Sequence, residues 1–187
     1  MQVQKNQVRK RIMDAALQEF FELGYKHASI RSIARTAEIT PGNIYAYFAG
    51  KEQLFDAVVL PTMMRIRTVM EMEFPPGTPY RLERIVDAIV TLFREEKRQV
   101  MILLNGSEGS KYVSISNNLR QVAARRIEED FRIQHEDKPD PLLCESLAAA
   151  VIAGLIYLIN HCDEDERLSL AVKQFLRQIF NGVMMHV

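Results

Sequence analysis

Thr40-Pro41-Gly42 falls three residues after the apolar face Ile30, Ile33, Ala34, Ala37 runs out, and this spacing constrains the fold more than any other feature of the chain. Thr is an N-cap residue, and Pro at the first helical position gives up an N–H that would have no intrahelical partner anyway. A helix therefore starts at Pro41. Ser29, at the N-cap position before Ile30, starts another just upstream. Two short helices separated by so tight a turn form a helix-turn-helix.

Helical spacing continues on both sides. Val8, Ile12, Ala15, Ala16, Phe20 and Leu23 predict a first helix over about 6–23, with Gly24 at a left-handed C-cap. Lys51 and Glu52 open a fourth, carrying Leu54, Phe55, Val58 and Val59, which Pro61 is expected to interrupt and kink. After the "PPGTP" loop, apolar residues from Leu82 to Leu104 trace a fifth helix ended by "NGSEGS". Leu119, Ala123, Ile127 and Phe131 trace a sixth, closed by "HEDKPDP". Residues 142–160 are apolar nearly all round, and a last helix follows "DEDE" (163–166), whose acids suit the positive end of its dipole. No window alternates as a strand does. The expected fold is all-α: a three-helix, helix-turn-helix DNA-binding head over 1–50 and a helical ligand-binding and dimerisation body over 51–187.

Charge and cysteine usage fit that division. Residues 1–55 carry eight Lys/Arg against five Asp/Glu, although the whole chain has 24 of each, so a mildly basic head sits on a mildly acidic body. Cys144 and Cys162, in apolar surroundings, read as free buried thiols of a reducing compartment. The N-terminus lacks the apolar core of a signal peptide, and "LAAAVIAGLIYLI" is shorter than the roughly 20 residues that cross a bilayer. The expected location is the cytoplasm, on the nucleoid when DNA is bound.

The stretch "GYKHASIRSIARTAEITPGNIYAYFAGKEQLF" (Gly24–Phe55) resembles the DNA-binding signature of TetR/AcrR-family transcriptional regulators. The matching places are Gly24-Tyr25, Ser29, Ile33-Ala34, Ala37, Ile39-Thr40, Gly42, Ile44-Tyr45, Tyr47-Phe48 and Lys51-Glu52-Gln53-Leu54. The resemblance covers about residues 8–60. Two departures, Pro41 and Asn43, fall at the start of the third helix and so bear on the operator sequence.

The resemblance implies that the third helix enters the major groove of a palindromic operator, and the residue types agree. Thr40 and the N–H groups after it suit a phosphate. Pro41 starts the helix, and Gly42 permits close backbone approach. Asn43 carries an amide able to bond adenine N6 and N7. Tyr45 and Tyr47 offer phenols to phosphate oxygens while Ile44 and Phe48 face inward. Lys51 is expected to give the DNA backbone a point charge. Arg31 is a further base or phosphate contact, and Ser29 a phosphate contact from its cap. Lys5, Arg9, Lys10 and Arg11 are either an arm reaching DNA or a solvated helix face.

For the body, small residues Ala148, Ala149, Ala150, Ala153 and Gly154 allow close helix approach. The resemblance implies a homodimer through a four-helix bundle, with Leu147, Val151, Gly154, Leu155, Leu158, Phe175, Leu176, Ile179, Phe180 and Val183 as interface candidates. It also implies an inducer pocket, with candidates Met63, Ile66, Met70, Phe93, Glu96, Met101, Asn105, Tyr112, Asn118, Leu119, Val122 and Tyr157. The implied effector is small and hydrophobic or amphipathic; control by a protein partner is the alternative. No cofactor, metal or membrane is expected. Consecutive His161, Cys162 and Asp163 point in different directions on a helix, and His27, His135 and His186 have no partners at ligand spacing, so an enzyme is disfavoured. The function read from the sequence is a DNA-binding regulator, a dimeric repressor released by an inducer.

Overall fold

The computed structural model describes residues 2–73, 81–134, 138–162 and 164–185. Eight helices account for most of these residues, with no strand among them: α1 (Gln2–His27), α2 (Ile30–Thr36), α3 (Pro41–Tyr45), α4 (Lys51–Met70), α5 (Arg81–Asn105), α6 (Ile115–Gln134), α7 (Pro141–His161) and α8 (Asp165–Met185). His135, Asp163 and His186 lie outside the described residues.

The chain forms two compact units. One contains Met1–Arg65 and Arg98–Ile115, the other Ile66–Lys97 and Ser116–Val187. The first unit thus takes in Lys51–Arg65 of α4 and Arg98–Ile115 besides residues 1–50. Leu54, Phe55, Val58 and Val59 of α4 are buried, and the Phe55 ring meets Phe20 of α1 edge-on at 4.8 Å and Tyr25 at 4.7 Å. The head's core therefore includes side chains of α4.

Three expectations about backbone geometry change. Gly24 does take positive φ, at 71°, but its ψ of 168° is extended, and the chain makes another turn to His27 instead of stopping. Glycine fits because a Cβ there would lie 3.3 Å from the Gly106 carbonyl oxygen, whose partner is the Tyr25 N–H at 2.7 Å. Pro61 lies inside α4 without ending it, on the exposed side of the helix. α5, continuous by its apolar spacing, leaves helical geometry at Glu96 (φ −136°, ψ 33°), next to the boundary between units.

The second unit is built from the end of α4, the first part of α5, and α6 to α8. Ile127, Cys144 and Ala148 pack with Ala123, Ala124 and Leu147, tying α6 to α7. The Arg126 guanidinium donates to the carbonyls of Met70 at 2.6 Å and Met72 at 2.7 Å, covering orphan acceptors at the end of α4. Arg177 pairs with Glu83 at 2.9 Å, linking α8 to α5. Cys144 is buried as expected; Cys162 is only half-buried, at the C-cap of α7, and both thiols are free.

α7 is long and apolar enough, by length and composition, to cross a bilayer. In this fold it is a packing helix: Cys144, Ala148, Val151, Leu155 and Ile159 form one buried stripe. Gly154 faces α8 so closely that a Cβ would stand 2.1 Å from the Phe175 ring tip. Gly154 and Phe175 therefore meet within one chain, and Val151, Leu155 and Leu176 are buried in it as well. Of these five expected interface residues, Val151, Leu155 and Leu176 are buried within the body, and Gly154 and Phe175 are half-buried against each other. Leu147, Leu158 and Ile179 are half-buried, and the side chains of Phe180 and Val183 lie outside the described set.

Candidate nucleic-acid interface

The helix-turn-helix is fixed by local hydrogen bonds. Ser29 caps α2: its Oγ accepts from the Ser32 N–H at 3.0 Å, and the Ser29 N–H donates to the Ser32 Oγ at 3.2 Å. In this reciprocal capping box the Ser29 hydroxyl, expected to meet a phosphate, serves as an acceptor. Ala37 is the C-cap of α2, and the following turn is a Schellman arrangement: the Glu38 N–H reaches the Arg35 carbonyl at 3.1 Å and the Ile39 N–H the Ala34 carbonyl at 3.0 Å. Glu38 takes φ 55° at the position where glycine is usual, so no sequence signal marked this turn. Across it, the buried carboxylate of Glu19 accepts from the Thr36 hydroxyl at 3.0 Å, tying α1 to α2.

α3 then begins as expected, with Thr40 as N-cap and Pro41 in the first turn, but the Thr40 side chain makes no cap hydrogen bond. Its first turn is closed by backbone, the Asn43 N–H donating to the Thr40 carbonyl at 3.0 Å. Ile44 is 0% and Phe48 3% exposed, which pins the helix to the head. Thr40, Pro41, Gly42 and Asn43 are exposed beside them, with Tyr45 at 57% and Tyr47 half-buried. Arg31 is exposed on α2. One side of α3 is thus anchored in the core and the other presents an amide, a phenol and an unobstructed backbone.

Lys51 is placed differently from the expectation. Its ammonium donates to the carbonyls of Tyr25 at 2.7 Å, Ala28 at 3.1 Å and Lys26 at 3.5 Å, and lies 4.4 Å from the Tyr25 ring centroid. These acceptors lie at the end of α1 and in the turn to α2, so a phosphate contact would compete with them. Burial first, then the carboxylates of Glu52 and Asp56, raise the Tyr25 phenol above its usual range, so the ring beneath the ammonium is neutral. This arrangement was not legible because its acceptors are backbone atoms 23 to 26 residues away.

The pocket candidates divide between the units. Met63, Met101, Asn105 and Tyr112 belong to the first; Ile66, Met70, Phe93, Glu96, Asn118, Leu119, Val122 and Tyr157 to the second. Ile66, Phe93 and Tyr112 are buried, Met63, Met70, Glu96, Met101, Leu119 and Val122 half-buried, and Asn105 and Asn118 exposed. Two placements correct the expectation. Tyr112 packs against Phe55, ring centroids 6.0 Å apart, as part of the head's aromatic core. Tyr157 is 62% exposed and stacks on His161 at 4.1 Å, on the side of α7 turned away from the buried stripe. Among the described residues no group of His, Cys, Asp and Glu is arranged to hold a metal.

A buried-anchored helix presented after a capped helix and a tight turn defines a helix-turn-helix DNA-binding protein. Residues 12–58 match the sequence profile of bacterial regulatory proteins of the tetR family. Over those residues the chain carries a DNA-binding region similar to that of tetR-family regulators. It is 25% identical to the HTH-type transcriptional regulator UidR of Escherichia coli (strain K12), over 98% of this chain and 96% of that one. The similarity to the HTH-type transcriptional regulator SrpR of Pseudomonas putida is 34% over 45% of this chain and 37% of that one. The fold is that of SCO3833, a TetR-family member from Streptomyces coelicolor A3 (TM-score 0.71, 19% identity, 91% of this chain and 90% of that one). It is also that of NalD, the secondary repressor of the MexAB-OprM multidrug efflux pump in Pseudomonas aeruginosa (TM-score 0.64, 22% identity, 97% and 98%).

Proposed function

We propose that the chain works in the cytoplasm as a dimeric repressor that reads a palindromic operator through α3 and leaves it when a small apolar or amphipathic effector binds the body. The observation that carries the reading is the two-sided α3, with Ile44 fully buried and Asn43 and Tyr45 exposed next to it. Asn43 is assigned to a base edge; Thr40, Gly42, Tyr45, Tyr47 and Arg31 to the surrounding phosphates and grooves. The test is Asn43→Ala on a duplex selected from a random pool. Loss of about 1–3 kcal/mol per half-site at one preferred base, with weaker effects on duplexes altered there, is expected. Equal weakening on all sequences would remove Asn43 as a reader and leave Arg31.

Dimerisation is assigned to the side of α7 that the chain itself leaves uncovered. Ala150, Ala153 and Tyr157 follow one another there at helical spacing, and Leu143 is 45% exposed a turn or two earlier. Small residues flanked by larger apolar ones suit the close approach of a second α7. Ala153→Arg is expected to give monomers by sedimentation with helix content retained, because the substituted side chain points out of the fold. An unchanged dimer would move the interface elsewhere. Within the body unit, Ile66, Met70, Phe93, Leu119 and Val122 are proposed to line the effector site, which fits an apolar ligand.

A further inference from the structure

The four basic residues near the start of α1 are not equivalent, and one of them touches the anchor of α3. At 3.6 residues per turn, Lys5, Arg9, Ile12, Ala16 and Phe20 fall within about 80° of one another around the helix, while Lys10 and Arg11 lie roughly 110° or more from the centre of that stripe. Ile12, Ala16 and Phe20 are buried in the head, whereas Lys5 and Arg9 are exposed. The stripe that faces the head's interior therefore turns from apolar to basic towards the N-terminus. There, the Arg9 guanidinium carbon stands 5.4 Å from the centroid of Phe48, the residue that with Ile44 holds α3 in place.

A guanidinium over a ring uses its π face and keeps its N–H groups, which point outward in its own plane. Among the described residues Arg9 and Lys5 have no carboxylate within ion-pair distance. Arg9 is thus an exposed cation, steered by Phe48 to the end of α3, with its in-plane donors unused. Planar paired donors match two oxygens of one phosphate. Lys5, one turn further out on the same stripe, adds a second charge along the same line.

We propose that Arg9 and Lys5 form a phosphate clamp on the DNA backbone flanking the bases that α3 reads, Arg9 being set in place by the Phe48 ring. Lys10 and Arg11 take no part. The inference rests on the proposed DNA-reading role of α3.

The test measures affinity of the full-length protein against salt concentration, on the pool-selected duplex and on a mixed-sequence duplex of equal length. Each phosphate neutralised contributes about 0.9 to the slope of log affinity against log salt, so two copies contribute about 1.8. Arg9→Ala and Lys5→Ala are each expected to lower the slope by about that amount on both duplexes, with unchanged thermal melting. Lys10→Ala is expected to leave it unchanged. Arg9→Lys, which keeps the charge but not the planar paired donors, should restore most of the slope and only part of the affinity. A wild-type slope in folded Arg9→Ala, or an equal fall in Arg9→Ala and Lys10→Ala, overturns the clamp. Failure of the wild-type protein to bind the selected duplex more tightly than the mixed one would overturn the α3 reading instead.

Discussion

Gly154→Leu is expected to destabilise the body unit by about 3 kcal/mol, the upper part of the range for overpacked cores. A Cβ at this position would already lie 2.1 Å from Cζ of Phe175 and 2.7 Å from its Cε1, so any side chain must displace the ring or push α7 from α8. The gain from replacing a mid-helix glycine, about 0.8–1 kcal/mol, does not offset that. Shortening the ring in Gly154→Leu/Phe175→Ala should recover much of the loss, because the two residues compete for one volume. Chemical denaturation of the four members of this cycle gives the coupling directly. A Gly154→Leu protein as stable as wild type would show that the ring does not occupy this space. Charged substitution of Gly154 is for the same reason a poor probe of dimerisation: it breaks the subunit before it reaches any partner.

Lys51→Met is expected to lower stability by about 2 kcal/mol, within the range for charge-assisted hydrogen bonds to partly buried acceptors. The substitution keeps most of the aliphatic stem but abandons the carbonyls of Tyr25, Lys26 and Ala28, which lie at the end of α1 and in the turn to α2. DNA affinity should then fall by a similar factor at every salt concentration, because what is lost is the placement of the helix-turn-helix and not a phosphate contact. A fall of about 1.8 in the salt slope would mean that the ammonium exchanges a carbonyl for a phosphate on binding.

Much of the head was legible because its signals are local. Ser29 caps a backbone N–H three residues on and Pro41 fixes its own φ, and the structure starts α2 and α3 at the positions that Ser29 and Thr40-Pro41 mark, although the Thr40 side chain makes no cap bond. What escaped was set by distant partners or carried no distinctive residue type. Glu38 takes φ 55° without being glycine, and α5 breaks at Glu96 with neither Pro nor Gly nearby. Arg9 could not be told from Lys10 and Arg11 until Phe48 was placed beneath it. The division into units was equally hidden: residues 98–115 return to the head through contacts such as Tyr25 with Gly106, and the Lys26–Glu108 ion pair at 2.6 Å.

Residue order alone showed that the chain is helical, where most of its helices begin, and that the helix at Pro41 presents Asn43 and Tyr45 while burying Ile44. Those results follow from capping and from helical periodicity, which needs one polar face to give a direction. Packing alone selected the inward faces of α7 and α8: it buried Val151, Leu155 and Leu176, set the half-buried Phe175 against Gly154, and turned Tyr157 outward. α7 is apolar nearly all round, so its periodicity points nowhere, and the choice of face falls to the shapes of the helices packed against it.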